Sequence, residues 1–314
     1  MRASIIITTR NRATLLATRS LSSAVNQNYL NFEIIVVDDG SEDNTRNVAE
    51  QFAWLYSDRI PISYIEYPCR NLSKLRNKGV KEALGEYVVF IDDDDELVPD
   101  FLRITTGILI SEPDMDAIGG GRKTIYPEGE VYDPPRDFTS FYASIDDGYL
   151  IRKRIFEKIQ YDEELPTDED ADFGLQFIRN GFEMYSIPAV LLLKYGHSVK
   201  SSGSFSHPSE WRLEGLEKFV DKNEIFFIEK YKETGKTRDI EYFYRYAGRT
   251  FCWGGWMKEG RELLLYAIAL KPSVRNVLYY LVSLGGRRIF SWYYWLETYL
   301  IRKLRIHYLS KCTP

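Results

Sequence analysis

The sequence is poor in cysteine, with three in 314 residues. Cys69, Cys252 and Cys312 are odd in number and far apart, so they predict neither a disulfide framework nor a metal-binding knuckle. We therefore expect a reducing, cytoplasmic setting. The residues after Met1 also lack the basic segment, apolar core and cleavage site of a secretion signal, which agrees with that expectation.

Long apolar runs and an excess of basic residues are absent as well. The longest apolar run, residues 263–270, is far shorter than the ~20 residues that cross a bilayer, so no transmembrane helix is expected. A net charge of -5 and a pI near 5.5 argue against nucleic acid as a partner. No glycine-rich dinucleotide fingerprint or Walker lysine loop occurs, which excludes those two kinds of phosphate site.

What the sequence does contain is an alternation of strands and helices. Apolar, β-branched runs separated by amphipathic segments predict strands at residues 3–7, 32–37, 62–66 and 87–91. Such continuous apolar strands indicate a parallel sheet covered by helices on both faces. Ligands bind beyond the carboxyl ends of these strands. Three polar clusters fall there, at Thr8-Thr9, Asp38-Asp39 and Asp92 to Asp95.

The fourth strand ends in four consecutive carboxylates. Like charges about 4 Å apart repel by ~4 kcal/mol at an effective dielectric of ~20, so the run must be solvated or neutralised by a cation. In an extended backbone Asp92 and Asp94 share one side, and Asp93 and Asp95 the other. Paired carboxylates suit Mg²⁺ or Mn²⁺ holding a nucleotide diphosphate. The alternative is an acidic helix cap, but capping needs only one Asp.

A second acidic cluster, Asp168 to Asp172, begins a predicted helix that runs to Asn180. Acidic residues at a helix N-terminus ordinarily cap it and complement its dipole. Beside a bound diphosphate, a carboxylate could instead take a proton from an attacking hydroxyl. The first cluster makes this second interpretation the favoured one.

Two stretches between these clusters have open interpretations. Gly119-Gly120-Gly121 lies in a predicted strand, where it indicates either close approach to a ligand or a bulge. Residues 126–138 are rich in Pro and acidic residues, which predicts a surface loop over the site.

Five motifs resemble, in order and spacing, those of the family-two glycosyltransferases. They are Ser4-Ile-Ile-Ile-Thr-Thr-Arg-Asn-Arg12, Ile35 to Thr45, Arg76-Asn-Lys-Gly79, Gly85-Glu-Tyr-Val-Val-Phe-Ile-Asp-Asp-Asp-Asp95 and Glu169-Asp170. The resemblance covers about two thirds of the chain. It implies a GT-A fold, an α/β Rossmann-like, mostly parallel sheet flanked by helices. We expect a catalytic domain at 1–205 and an all-helical region at 206–314.

The resemblance also implies roles for individual residues. Thr9 and Asp39 would contact the nucleoside, and Arg76 would lie near the nucleotide. Asp92 and Asp94 match the Asp-x-Asp motif that binds Mn²⁺ or Mg²⁺, with Asp94 the main ligand and Asp93 or Asp95 contacting ribose or sugar. Asp170 matches the general base.

The implied reaction is metal-dependent and inverting, and it moves a sugar from a nucleotide-diphosphate donor to a glycan or lipid-linked glycan. The family commonly has Pro where Thr8 stands. Gln176 to Arg179 is similar to a motif of processive synthases, but Asn180 replaces its Trp, which disfavours a processive enzyme. The alternatives are an inert sugar-nucleotide-binding scaffold and a sugar nucleotidyltransferase, whose glycine-rich basic loop is missing at Thr8 to Arg12.

His197 follows an apolar stretch directly. A late histidine reaches the metal or pyrophosphate in some related transferases, so His197 is a candidate metal ligand. The other interpretation is a hydrogen-bonded structural histidine.

The pattern from about Ser209 is wholly helical. Near the end, apolar residues recur at helical spacing between basic ones, at Ile289, Trp292, Tyr293, Leu296, Leu300 and Leu304. Such a helix suits a membrane interface, which predicts contact of residues 287–311 with the cytoplasmic membrane face. The alternative is a helix in the core or in a homodimer contact.

Overall fold

A computed structural model describes residues 2–127, 129–133, 145, 147–196, 210–293 and 296–297. Contacts divide the chain into two compact units. The first is Met1–Glu164 with Glu169–Gly196, and the second is Leu165–Asp168 with His197–Pro314. The predicted boundary between residues 205 and 206 falls within 197–209, outside the described residues, so these domain limits stay a prediction.

The strands of the first unit pair into one mixed sheet. Its order is β3-β2-β1-β4-β8-β6-β9-β5, with β7 paired to β6. In chain order the strands are β1 (Ala3–Thr9), β2 (Phe32–Asp38), β3 (Ile62–Glu66), β4 (Tyr87–Asp92), β5 (Glu96–Leu97), β6 (Ala117–Tyr126), β7 (Gly129–Asp133), β8 (Leu150–Arg152) and β9 (Met184–Tyr195).

The first four strands form the predicted parallel part of the sheet. β1 pairs in parallel with both β2 and β4, and β2 pairs with β3. Alternate side chains of β1 enter different cores, with Ile5 in one cluster and Ile6 in the other. Both faces are therefore covered, as the continuous apolar pattern predicts. Beyond β4 the sheet contains antiparallel pairs, which begin with β8.

Helices separate these strands. They are α1 (Ala13–Thr18), α2 (Ser20–Val25), α3 (Thr45–Leu55), α4 (Leu72–Glu82), α5 (Phe101–Ser111) and α6 (Glu169–Arg179), with a 3-10 helix at Lys153–Glu157. The helical segment after β1 is divided into α1 and α2 at Arg19, which has non-helical φ and ψ of -121° and -85°. The Arg19 side chain donates to the carbonyl oxygen of Asp94 (2.9 Å) and lies over the ring of Tyr195.

The prediction of a loop at residues 126–138 is wrong for residues 129–133, which form β7 in a hairpin with β6. Val131 is buried there, and Gly129 adopts the positive φ that the turn requires. Residues 134–138 lie outside the described residues. The bulge interpretation of the glycine run is supported, because the register with β9 shifts on both sides of Gly121. A Cβ on Gly119 would come within 2.3 Å of the Tyr149 ring.

From Glu210 onward, the described residues of the second unit are mainly helical, as predicted. It contains α7 (Glu210–Thr234), α8 (Arg238–Gly254), α9 (Met257–Leu270) and α10 (Val274–Leu284), and residues 286–293 are also helical. Cys252, Leu264, Tyr279 and Phe290 form one of its buried clusters. In the helices that are described, none combines the length and apolar character needed to cross a bilayer.

Candidate active site

The carboxylate run forms a turn at the end of β4. The amide of Asp95 donates to the carbonyl oxygen of Asp92 (3.2 Å), so the extended backbone assumed for this run is wrong. The turn alters which side chains meet. One carboxylate oxygen each from Asp92, Asp94 and Asp95 lie within 4.8 Å of one another, while Asp93 is directed elsewhere. The predicted pair of Asp92 and Asp94 is brought together, and Asp95 joins it.

Asp93 anchors this turn to the end of β1. Its carboxylate is buried and accepts hydrogen bonds from Thr9 Oγ1 (2.8 Å) and Arg12 Nη1 (3.0 Å). Burial raises the pKa of Asp93, and the bonds from Thr9 and Arg12 oppose that rise. The structure therefore places the Thr9 hydroxyl against Asp93, and the nucleoside contact of Thr9 stays a prediction.

Two cations neutralise part of the carboxylate charge. Arg12 Nη1 also donates to Asp94 Oδ2 (2.9 Å), and Lys194 Nζ lies 3.0 Å from Asp95 Oδ2 and 3.0 Å from Asp147 Oδ2. Burial raises the pKa of Asp95 to about 7 despite the opposing effect of Lys194. Lys194 and Asp147 have no local sequence signal, since only the strand order brings β9 and the segment before β8 to this turn.

Arg76 joins the two acidic clusters. It lies on α4 with 4% of its side chain exposed, and its Nη1 is 3.0 Å from Glu169 Oε1. Its Nη2 lies 3.9 Å from both Asp92 Oδ1 and Asp147 Oδ1. Burial alone would lower the pKa of Arg76, but Tyr161 and the three carboxylates together raise it. The side chain therefore stays charged and ties the start of α6 to the end of β4.

Replacing Arg76 should destabilise the protein strongly. Arg76→Met would leave carboxylates of Asp92, Asp147 and Glu169 without this cation, and breaking a buried ion pair typically costs about 3–5 kcal/mol. Urea unfolding followed by circular dichroism measures the loss. The matched control is Arg46→Met, because Arg46 pairs with Glu50 and Glu66 on the exposed surface. That variant should unfold like the wild type, and equal effects from both variants would contradict a structural role for Arg76.

The first turn of α6 contains three acidic side chains in different surroundings. Glu169 is paired with Arg76, and Asp172 is completely buried and accepts a bond from Gln176 (2.7 Å). Asp170 is partly exposed, and its Oδ1 accepts from the amide of Ala171 (2.8 Å). Asp170 thus differs from Asp172 in its partial exposure and from Glu169 in its bond to a backbone amide. Its role as general base stays a prediction.

Asp39 is positioned at the end of β2, beside β1. Its amide donates to the carbonyl oxygen of Thr9 (3.0 Å), and its Oδ1 accepts from the amides of Cys69 (2.7 Å) and Arg70 (2.6 Å). Arg70 has a positive φ of 50°, a conformation that is unfavourable for a non-glycine residue. The loop after β3 is therefore held against the predicted nucleoside contact. The neighbouring Asp38 instead binds Tyr64 and Ser41 within the fold.

Thr9 thus binds Asp93, and Arg76 lies against Asp92. Arg12 bridges Asp93 and Asp94, and Asp39 lies beside Thr9. His197 lies outside the described residues, so its metal role stays a prediction. Among the site residues to which the sequence assigned no role, Arg12 had the clearest sequence signal, because it belongs to the polar turn that follows β1.

A comparison with family models identifies the family of this chain. The family model described as Glycosyl transferase family 2 matches residues 4–181, more than half of the chain. The chain belongs to glycosyl transferase family 2. This confirms the family predicted from the five motifs, and the matched range contains the carboxylate turn, Arg76 and Asp170.

Curated relatives match the chain over different lengths. The putative glycosyltransferase EpsH of Bacillus subtilis is 38% identical over 98 residues, 31% of this chain and 27% of EpsH. A GalNAc(5)-diNAcBac-PP-undecaprenol beta-1,3-glucosyltransferase of Campylobacter jejuni is 39% identical over 99 residues, 30% of each protein. The chain thus spans less than a third of these two relatives. The poly(ribitol-phosphate) beta-N-acetylglucosaminyltransferase TarP of Staphylococcus aureus is 28% identical over 72% of this chain and 71% of TarP.

Solved structures confirm the GT-A fold. The S. aureus TarS 1-349 complex with UDP-GlcNAc is 19% identical, with a TM-score of 0.56 over 92% of each chain. The mannosyltransferase PcManGT of Pyrobaculum calidifontis, in complex with GDP-Man and Mn2+, also has a TM-score of 0.56 at 19% identity, over 90% of this chain and 79% of that one. At this identity the likeness shows the fold alone.

Proposed function

We propose that this protein transfers a sugar from a nucleotide-diphosphate donor to an acceptor hydroxyl, with a divalent metal ion and with inversion at the anomeric carbon. The observation that carries the proposal is the turn at Asp92, Asp94 and Asp95, whose oxygens lie within 4.8 Å of one another. The turn follows β4 directly, beside the end of β1. Ligands of open α/β sheets bind at such strand ends.

The donor set fits Mn²⁺ or Mg²⁺, which prefer carboxylate oxygens. Asp94 and Asp92 would be the main ligands, with Asp95 completing the set. Desolvation and the nearby Asp147 raise the pKa of Asp92 well above its ordinary value, although Lys194 and Arg76 oppose the rise. The negative charge of the carboxylates is thus only partly balanced by neighbouring cations, and this favours binding of an added cation. When bound, the ion would stabilise the charge that develops on the leaving diphosphate.

Asp170 would act as the general base. Its carboxylate would take the proton from the acceptor hydroxyl as that oxygen attacks the anomeric carbon, on the side opposite the leaving nucleotide. A single displacement of this kind inverts the configuration. Glu169 would serve as a positioning residue, because its bond to Arg76 fixes the turn of α6 that bears Asp170.

The donor and acceptor classes follow from the named relatives. TarS and PcManGT are solved with UDP-GlcNAc and GDP-Man, so we propose a UDP- or GDP-sugar as donor. The Campylobacter relative is named for an undecaprenol-linked substrate. We therefore propose a glycan or lipid-linked glycan as acceptor, at the cytoplasmic membrane face.

A thermal-shift screen tests donor binding directly. UDP-, GDP- and dTDP-sugars are added to the purified protein with Mn²⁺ or with EDTA. One donor should raise the melting temperature with Mn²⁺, and EDTA should abolish the shift. Stabilisation that is the same with EDTA would contradict metal dependence. Metal-dependent stabilisation without nucleotide diphosphate release, even with candidate acceptors, would favour an inert scaffold.

A further inference from the structure

One side of α10 exposes a row of apolar side chains. Val274, Val277, Leu278, Leu281 and Leu284 are all exposed, Val274 by 86% and Leu281 by 55%. Their spacing of three and four residues places them on one side of the helix. A helix face directed to water normally bears charged residues, and a contiguous exposed apolar face marks an interaction surface.

The orientation of α10 is fixed by its opposite face. Asn276, Tyr279 and Ser283 are buried there. Asn276 Nδ2 donates to Glu241 Oε1 (2.9 Å) and to backbone oxygens of α9 and the residue after it, while the Tyr279 ring packs against Phe290. The helix therefore cannot rotate its apolar side inward without breaking a buried polar network.

The helical segment after α10 also exposes apolar side chains. Ile289 and Trp292 are 52% and 60% exposed, whereas Phe290 between them is buried. Arg288, beside them, is exposed. We call these two side chains and the exposed apolar residues of α10 the apolar platform. Aromatic and aliphatic groups bordered by arginine are typical of surfaces that enter a lipid interface.

Charge is distributed very unevenly along this acidic chain. Residues 263–314 contain eight Lys and Arg and one acidic residue, Glu297, whereas residues 1–262 contain 33 basic and 45 acidic residues. Glu297 itself is paired with Arg275 (3.0 Å). The apolar platform therefore lies in a part of the chain with a charge of +7, within a protein of charge -5.

We propose that the apolar platform rests on an anionic lipid surface. The exposed leucines, valines and Trp292 would enter the headgroup boundary, and the exposed Arg288 would meet lipid phosphates. A second copy of this chain fits less well, since pairing two such platforms would bring like charges together. The contact is centred on α10, whereas the sequence pattern placed it at residues 287–311. It does not depend on the proposed transferase reaction.

Vesicle co-sedimentation of the full chain tests the proposal. The wild type should bind vesicles that contain phosphatidylglycerol and bind phosphatidylcholine vesicles weakly. It should lose binding in 0.5 M NaCl, where the Debye length is roughly 4 Å. The Leu281→Glu, Trp292→Ser double variant should bind at least about tenfold more weakly, because it lacks two apolar groups that would be buried in the lipid.

The matched control is the Leu30→Glu, Trp54→Ser double variant, since Leu30 and Trp54 are 85% and 79% exposed in the first unit. It should bind like the wild type. Unchanged binding of the platform variant, or no binding of the wild type, would overturn the proposal. A dimeric wild type and a monomeric platform variant in sedimentation equilibrium would also overturn it, because a second copy would then cover the face. Unchanged circular dichroism confirms that both variants fold.

Discussion

Asp170→Asn should lower sugar transfer about 10²- to 10⁴-fold while donor affinity stays near the wild-type value. Asparagine has nearly the same shape and can still accept the bond from the amide of Ala171. It cannot take the acceptor proton. The proposed metal ligands lie on the turn after β4 rather than on α6, so metal and donor binding should survive the change.

Steady-state release of nucleotide diphosphate measures the turnover, and thermal shift measures donor binding. Asp58→Asn is the control, because Asp58 is an exposed residue after α3 and should have no effect. Asp172→Asn should lower the melting temperature, since Asp172 is completely buried and bonded to Gln176. Transfer at the wild-type rate by Asp170→Asn would show that another group takes the proton.

Asp94→Ala should abolish metal-dependent stabilisation by the donor and lower turnover by about 10²- to 10³-fold or more, the effect of losing one preorganised electrostatic contact. The substitution removes one of the three clustered carboxylates and one of the two carboxylate partners of Arg12. Calorimetric titration with Mn²⁺ in the presence of the nucleotide diphosphate measures the lost affinity.

Asp93→Asn distinguishes a metal ligand from an anchor within the same turn. The Asp93 carboxylate binds Thr9 and Arg12 and is not one of the three clustered oxygens. This variant should keep Mn²⁺ affinity within a few-fold and lose stability instead. Equal loss of Mn²⁺ affinity in the two variants would contradict the assignment of Asp94 and the exclusion of Asp93.

The position of the site could be predicted from the sequence, because topology alone determines it. Apolar runs ending at Thr9, Asp38 and Asp92 are parallel neighbours, and parallel strands place their carboxyl ends on one edge. The local periodicity of the sequence reveals the alternating strands and helices from which this topology follows. The arrangement of the four carboxylates could not be predicted in the same way. It depends on Thr9 and Arg12 binding Asp93 across the sheet, which favours a turn over an extended strand.

Residues contributed by distant strands gave no local signal. Lys194 lies in β9, which reaches the carboxylates because it pairs with β5 and β6. Strand β7 was missed for a related reason. Its sequence resembles a loop, but pairing with β6 and burial of Val131 outweigh that local preference. In the second unit, helical periodicity predicted the helices, whereas the exposed side of α10 required its packing partners to be known.

The most direct test of the account is release of nucleotide diphosphate by the wild-type protein from the donor that stabilises it most, measured with Mn²⁺ and with EDTA. We expect slow release with Mn²⁺ that accelerates when an acceptor is supplied, and none above background with EDTA. Release that is equally fast in EDTA would contradict the carboxylate turn as a metal site. No release with any donor, metal and acceptor would contradict the proposed transferase activity itself.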